Sequence, residues 1–199
     1  AVTVTAKSLE VIYNGSEQKV EGYDVSGLLK GHTLSGLSAS ASGTDADEYA
    51  SVLTGEVKIV DETGVDVTAQ YNVTQVNGKL TIKPVEIEVK AADASKPYDG
   101  TALTENDYSI TKGTFVGDEG FASVTVVGSQ TVVGSSDNEI TDYELKENTK
   151  AQNYDITPRK GTLTVTALEG DDRLAVTVTA KSLEVIYNGS EQKVEGYDV

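Results

Sequence analysis

The chain has 199 residues, sixteen basic and thirty-two acidic, and its net charge of −16 repels a phosphate backbone or an anionic membrane. The absence of cysteine excludes a disulfide framework and thiolate metal sites, and no apolar run approaches the ~20 residues that cross a bilayer. Hydrophobic residues at 38% with nineteen glycines exclude a disordered polar tract and point to many short strands joined by turns.

Val2-Thr-Val-Thr-Ala6 opens with strict alternation, but Leu9, Val11 and Tyr13 have the opposite parity. A strand changes faces only through a bulge or kink, expected near Lys7-Ser8. Tyr13-Asn14-Gly15 reads as a turn. Leu28-Leu29 before Gly31 allows at most one helical turn, and no segment sustains a 3.6-residue apolar stripe. Tyr71–Val76 and Lys79–Lys83 flank Asn77-Gly78, the pair that favours a type I′ hairpin turn with positive φ at both positions. Such a hairpin pairs Val76 with Lys79, Gln75 with Leu80 and Val73 with Ile82. Tyr71, Val73, Leu80 and Ile82 then share one core face.

Lys83-Pro84 leads straight into Val85-Glu-Ile-Glu-Val89, a stiff join, and the pattern starts again. Ile87-Glu-Val-Lys-Ala91 followed by Tyr98-Asp99-Gly100 repeats Val2–Ala6 followed by Tyr13-Asn14-Gly15. The parity switch recurs near Asp93–Pro97. Ala151-Gln152-Asn153-Tyr154 repeats Ala69-Gln70-Tyr71, and Gly161-Thr-Leu-Thr-Val165 repeats Gly78–Ile82. The same hairpin register gathers Tyr154, Ile156, Leu163 and Val165, and Pro158 requires its strand to lie at a sheet edge. Finally, residues 175–199 repeat residues 1–25 letter for letter.

The reading is all-β, with two tandem small β-sandwich-like (Ig-like) modules end to end, 1–84 and 85–167. A short acidic linker, 168–174, precedes an incomplete third module, 175–199, a copy of the start of the first. β-Grasp-like modules are the alternative. The modules are expected to stack as a rod with a small, mainly polar interface. The tail is expected to be extended and poorly buried in its own chain, or to replace residues 1–25 of a neighbouring copy, head to tail.

Candidate chemistry is sparse, and no catalytic or cofactor-binding residue is expected. His32 is the only histidine and sits in the loop Lys30-Gly31-His32-Thr33, without the partners a triad or transition-metal site needs. Tyr13 and Tyr98 could stack on sugars, but a tyrosine before an Asx-Gly turn reads more simply as a core side chain with its hydroxyl tied to backbone. Oxygen-rich stretches that suit calcium are Asp45 with Asp47 and Glu48, Asp137-Asn138-Glu139 with Asp142, and Glu169 with Asp171-Asp172. None has EF-hand spacing, so solvated acidic loops are the plainer reading. Lys58, Lys79 and Lys90 are the candidates for an isopeptide crosslink, but alternation puts them on the solvent face or at turns.

The chain resembles the YDG or MBG-type tandem β-repeats of large surface proteins in Gram-positive and gut bacteria. The resemblance rests on Tyr98-Asp99-Gly100 and its variant Tyr13-Asn14-Gly15, Gly128–Asn138, Val57–Asp61 with Asp66-Val-Thr68, and the Tyr71 and Tyr154 segments. It implies an extracellular, cell-surface or wall-attached protein and no catalytic residues. The function expected is that of a structural stalk in a surface adhesin or filament, with neighbouring copies of the repeat as partners. The alternative is a module that itself binds a host glycan or protein. Neither nucleic acid nor membrane insertion is expected.

Overall fold

The computed structural model describes residues 1–199, apart from the side chain of Asp171. It is all-β, and the only helical pieces among the described residues are three single 3₁₀ turns. Residues 1–83 supply β1 (Val2–Ala6), β2 (Leu9–Ile12), β3 (Gln18–Glu21), β4 (Tyr23–Ser26), β5 (Thr33–Gly43), β6 (Asp47–Val60), β7 (Val73–Val76) and β8 (Gly78–Lys83). They form two sheets, in the orders β4-β1-β7 and β2-β8-β6-β5-β3. Residues 85–166 supply β9 (Val85–Ala91), β10 (Ala94–Pro97), β11 (Tyr108–Lys112), β12 (Phe121–Val127), β13 (Gly134–Leu145), β14 (Tyr154–Arg159) and β15 (Gly161–Thr166). Their sheets run β11-β9-β14 and β10-β15-β13-β12. The order is that of the first half, except that the counterpart of β3 has shrunk to one bridge between Leu103 and Gln130. Among the described residues, no strand pairing joins 1–83 to 85–166.

The hairpin expected at Asn77-Gly78 does not form. β7 lies parallel to β1 in one sheet, while β8 lies in the other, between β2 and β6. Val76 faces Thr5, and Leu80 faces Leu9 and Tyr49. Val2 faces Val73 and Leu9 faces Leu80, so one offset of 71 residues holds on both sides of the step. Two neighbouring strands therefore cross from sheet to sheet together. In the second half Ile87 faces Ile156 and Ala94 faces Leu163, a constant offset of 69. There too the hairpin is absent, with β14 beside β9 and β15 between β10 and β13.

This crossing is the physical content of the parity switch. Val2, Val4 and Ala6 enter one apolar cluster with Ala39 and Leu53, whereas Val11 and Tyr13 pack with Leu80 and Ile82 in another. Tyr71 and Val73 join the first cluster, so the four residues expected on one face are split between two. Each fully buried Val, Leu or Ile contributes on the order of 1.5–3 kcal/mol. The kinks expected near Lys7-Ser8 and Asp93–Pro97 are thus corners between sheets.

The glycines of the corners serve close approach. Neither Gly78 nor Gly161 has positive φ. A Cβ on Gly78 would stand 2.4 Å from the Lys7 carbonyl oxygen, and one on Gly161 would stand 2.3 Å from that of Ala92. Both corners are closed alike: Lys79 N–H donates to Ser8 Oγ at 3.1 Å, and Thr162 N–H donates to Asp93 Oδ1 at 2.8 Å. Asn77 makes no turn, and its Oδ1 accepts from Leu53 N–H at 3.2 Å. Asn138 lies fully buried in β13, where its amide donates to the Ala92 and Glu105 carbonyls at 2.9 Å each. Pro158 lies on β14, an edge strand, as its missing N–H requires.

Across Pro84 the contact is not mainly polar. One apolar cluster takes Tyr13, Val20, Ala41, Leu80 and Ile82 from before it and Ile87 and Tyr154 from after it. With a single residue between β8 and β9, the apolar end of one half has the other half as its cover.

Residues 175–199 are exposed throughout, as expected of the tail. β16 (Thr179–Ala180) pairs antiparallel with β17 (Tyr197–Asp198). Thr179 opposite Asp198 and Ala180 opposite Tyr197 reproduce Thr5 opposite Asp24 and Ala6 opposite Tyr23. Ser190 N–H donates to Asn188 Oδ1 just as Ser16 N–H donates to Asn14 Oδ1. The tail keeps these local contacts but not the strands of β2 and β3, whose partners lie further along the chain, and it has no cover: Tyr13 is 6% exposed and its copy Tyr187 is 91% exposed.

Candidate functional site

The most built place in the molecule is the junction between the halves. Tyr13 follows β2, and its N–H donates to the Lys83 carbonyl at 2.8 Å, which fixes the turn beside Pro84. Asn14 caps that turn with its side chain, and Gly15, at φ +76°, leaves room for Val116. From the other half come the loop before β12 and the 3₁₀ turn Ala151–Asn153 that leads into Tyr154. A Cβ on Gly15 would lie 2.9 Å from Val116 Cγ1, so the contact demands glycine twice over.

Tyr13 and Tyr154 meet edge to face, with ring centroids 5.8 Å apart, and Phe115 lies 4.6 Å from Tyr154. Both hydroxyls donate to one carboxylate: Tyr13 to Glu119 Oε1 at 2.7 Å and Tyr154 to Oε2 at 2.5 Å. Val116 N–H donates to the Tyr154 hydroxyl at 2.9 Å. Burial, and then the Glu119 carboxylate, push the Tyr13 hydroxyl up to about 12 and raise Tyr154 as well. With both oxygens engaged, Glu119 acts as a clamp between the halves.

Beside the rings lies an ionic clasp. Lys150 Nζ donates to Asp45 Oδ2 at 2.6 Å, and Asn153 Nδ2 donates to Asp45 Oδ1 at 3.0 Å. Ala46 N–H donates to Asn153 Oδ1 at 2.7 Å, and Asn153 is itself buried. Lys150, and then Asn153, hold the Asp45 carboxyl below its ordinary range.

The other residues singled out by sequence lie elsewhere. Asp47 is exposed and accepts from the N–H of Glu48. Asp137 pairs with Lys160 at 2.8 Å, and Asp142 accepts from Tyr143 N–H at 2.9 Å. The Asp171 side chain lies outside the described residues. Among the described residues, no three His, Asp or Glu side chains converge on a point where a metal could sit. Lys79 pairs with Glu48 and Lys90 with Asp93, while Lys58 is exposed. His32 shares a hydrogen bond of 2.8 Å with the Tyr71 hydroxyl. The hydroxyl of Tyr13 is tied to a carboxylate of the other half and not to backbone.

Sequence reasoning found Tyr13 and Asp45 but assigned them other work, and it missed Glu119, Lys150 and Asn153. The signal for Asn153 was its place beside Tyr154 in the repeated Ala-Gln segment. The surface grooves next to the junction are lined by the ion pairs Lys112–Glu86 and Arg159–Glu88 and by Ile12, Pro84 and Val85. Compared with known proteins, the chain matches no family model, no curated protein and no solved structure.

Proposed function

We infer that the chain is a structural stretch of a repeating stalk, carried outside the cell on a surface adhesin or filament, and that its work is to hold distance. The observation that carries this reading is the Tyr13–Glu119–Tyr154 clamp, which joins the halves through buried aromatic surface. The letter-for-letter return of residues 1–25 at 175–199 supports it, because a copied unit is what lengthens a stalk. The net charge of −16 keeps neighbouring stalks apart by like-charge repulsion. Gold-labelled antibody against the chain, imaged on intact cells that produce the parent protein, tests this. Label should stand off the envelope, at a distance that shortens when one 174-residue period is deleted (the return begins at Ala175). Label found only after lysis would overturn the reading.

A further inference from the structure

The two outer ends of the folded part carry the two sides of the internal junction in altered form. Gly134 faces Val165 as Asp47 faces Ile82, and Asn138 faces Gly161 as Ser51 faces Gly78. Val132 and Val133 therefore hold the places of Asp45 and Ala46. Tyr98 N–H donates to the Thr166 carbonyl at 2.9 Å, the bond Tyr13 makes to Lys83. Thr101 N–H donates to Asp99 Oδ1, the bond Ser16 makes to Asn14. The far end of the second half thus presents Tyr98, Gly100, Val132 and Val133, equivalent to Tyr13, Gly15, Asp45 and Ala46.

The near end of the first half is the matching receptor. Val67 and Tyr71 flank the 3₁₀ turn Thr68–Gln70 as Lys150 and Tyr154 flank Ala151–Asn153. Leu29 N–H donates to the Tyr71 hydroxyl at 3.4 Å, as Val116 N–H does to that of Tyr154. His32 Nδ1 bonds the Tyr71 hydroxyl where Glu119 bonds that of Tyr154. Both ends offer apolar side chains to solvent: Leu29 is 64% exposed, and Val132 is 67% exposed at the other end.

The differences between the two sets come in pairs. Asp45 against Lys150 becomes Val132 against Val67, so both charges vanish together. An unpaired Asp or Lys facing a valine would cost desolvation, and neither of these two positions carries one. Glu119, whose two oxygens take two tyrosines, becomes His32, whose Nδ1 takes Tyr71 and which has a second ring nitrogen, Nε2, able to bond another hydroxyl. Val116 against Gly15 becomes the larger Leu29 against Gly100, where a Cβ would meet nothing within 4 Å.

We propose that these ends are the two sides of a second junction, formed with a following copy of this chain. Tyr98, Gly100, Val132 and Val133 of one copy seat on Leu29, His32, Val67 and Tyr71 of the next. The proposal rests on the repeating-stalk reading and adds its partner surface. Residues 175–199, which already repeat two of the pairings of residues 1–25, form the opening strands of that next copy. The repeat then alternates a clasp that is partly ionic with one that is apolar, and only the first weakens in salt.

The test uses the chain continued from residue 175 through a complete second copy. The sequence has no cysteine, so spin labels can be placed singly. Labels at Glu144→Cys of the first copy and Thr54→Cys of the second report the new junction. Labels at Thr54→Cys and Glu144→Cys within one copy report the internal one. Both pairs should give narrow distance distributions. Val132→Asp in the first copy should broaden only the inter-copy distribution, and adding Val67→Lys in the second should narrow it again by recreating the Asp45–Lys150 clasp. A broad inter-copy distribution in the unsubstituted chain, or no rescue by the paired charges, overturns the proposal and leaves the stalk reading in place. A broad distribution across the internal junction overturns the stalk reading itself.

Discussion

Tyr13 and Glu119 stand 106 residues apart in the chain, yet their side chains meet at 2.7 Å across the junction. Tyr13→Phe removes the donor and should lower stability by about 1–2 kcal/mol, because a partly buried carboxylate oxygen loses its partner. Tyr13→Ala also opens a cavity beneath Tyr154 and should cost about 3–5 kcal/mol. The copy supplies the control: Tyr187→Ala, in an identical stretch of sequence, should change stability by less than about 0.5 kcal/mol. Urea unfolding of the three variants decides, and equal losses at Tyr13 and Tyr187 would show that the tail is buried.

At the corners, Gly78→Ala and Gly161→Ala should each destabilise by about 1–3 kcal/mol, since the new Cβ meets backbone oxygen that cannot swing away. Gly78→Asn separates a corner from a turn. Asparagine is tolerated where positive φ is needed, so a hairpin would accept it with little loss. A corner rejects it at least as strongly as alanine, and melting temperatures of the two variants give the answer.

Those glycines also mark where sequence was readable and where it was not. The alternation of Val2, Val4 and Ala6 located a core face correctly, and the break in parity at Lys7-Ser8 located the corner. Asn77-Gly78 misled because a tight turn and a close backbone crossing both ask for glycine, and only the partner strands tell them apart. The pattern held no sign that Leu80 belongs beside Leu9 at one long offset rather than beside Gln75 at a short one. Glu119 was invisible for another reason. It is one of thirty-two acidic residues, and its role depends on a contact between halves that no local spacing encodes.

The junction should fail in alkali in a defined window. A tyrosine hydroxyl in the unfolded chain ionises near 10, and Tyr13 in the folded chain is raised to about 12. The folded state holds that proton longer, so this contribution is whole below about pH 10 and is lost as pH climbs towards about 12. Lys150, raised by its bond to Asp45, adds loss in the same direction. Melting temperature followed from pH 8 to 12 should fall more gently for Tyr13→Phe than for the unsubstituted chain, and parallel curves would refute the assignment.

On the acid side the sign reverses. Asp45 is lowered, so its clasp contributes above the ordinary carboxylate range, near about 4, and is lost as pH falls through the folded value. Asp45→Asn should flatten that part of the acid melt.

Deleting residues 175–199 should leave the melting temperature of the rest unchanged, because the tail covers nothing. A drop of more than about 0.5 kcal/mol in urea would mean that the tail stabilises its own chain after all.

The paired corners carry one consequence for a molecule under load. In each half the first two strands run parallel and adjacent to the last two, so the chain enters at one end of that ribbon and leaves at the other. Tension along the chain drags the two members of the ribbon in opposite directions along their length. Every hydrogen bond between them then shares the force at once, whereas the two strands of a hairpin at Asn77-Gly78 would peel apart one bond at a time. The step between sheets adds a mechanical lock, since the ribbon cannot slide without pulling Gly78 and Gly161 through corners that fit no larger residue.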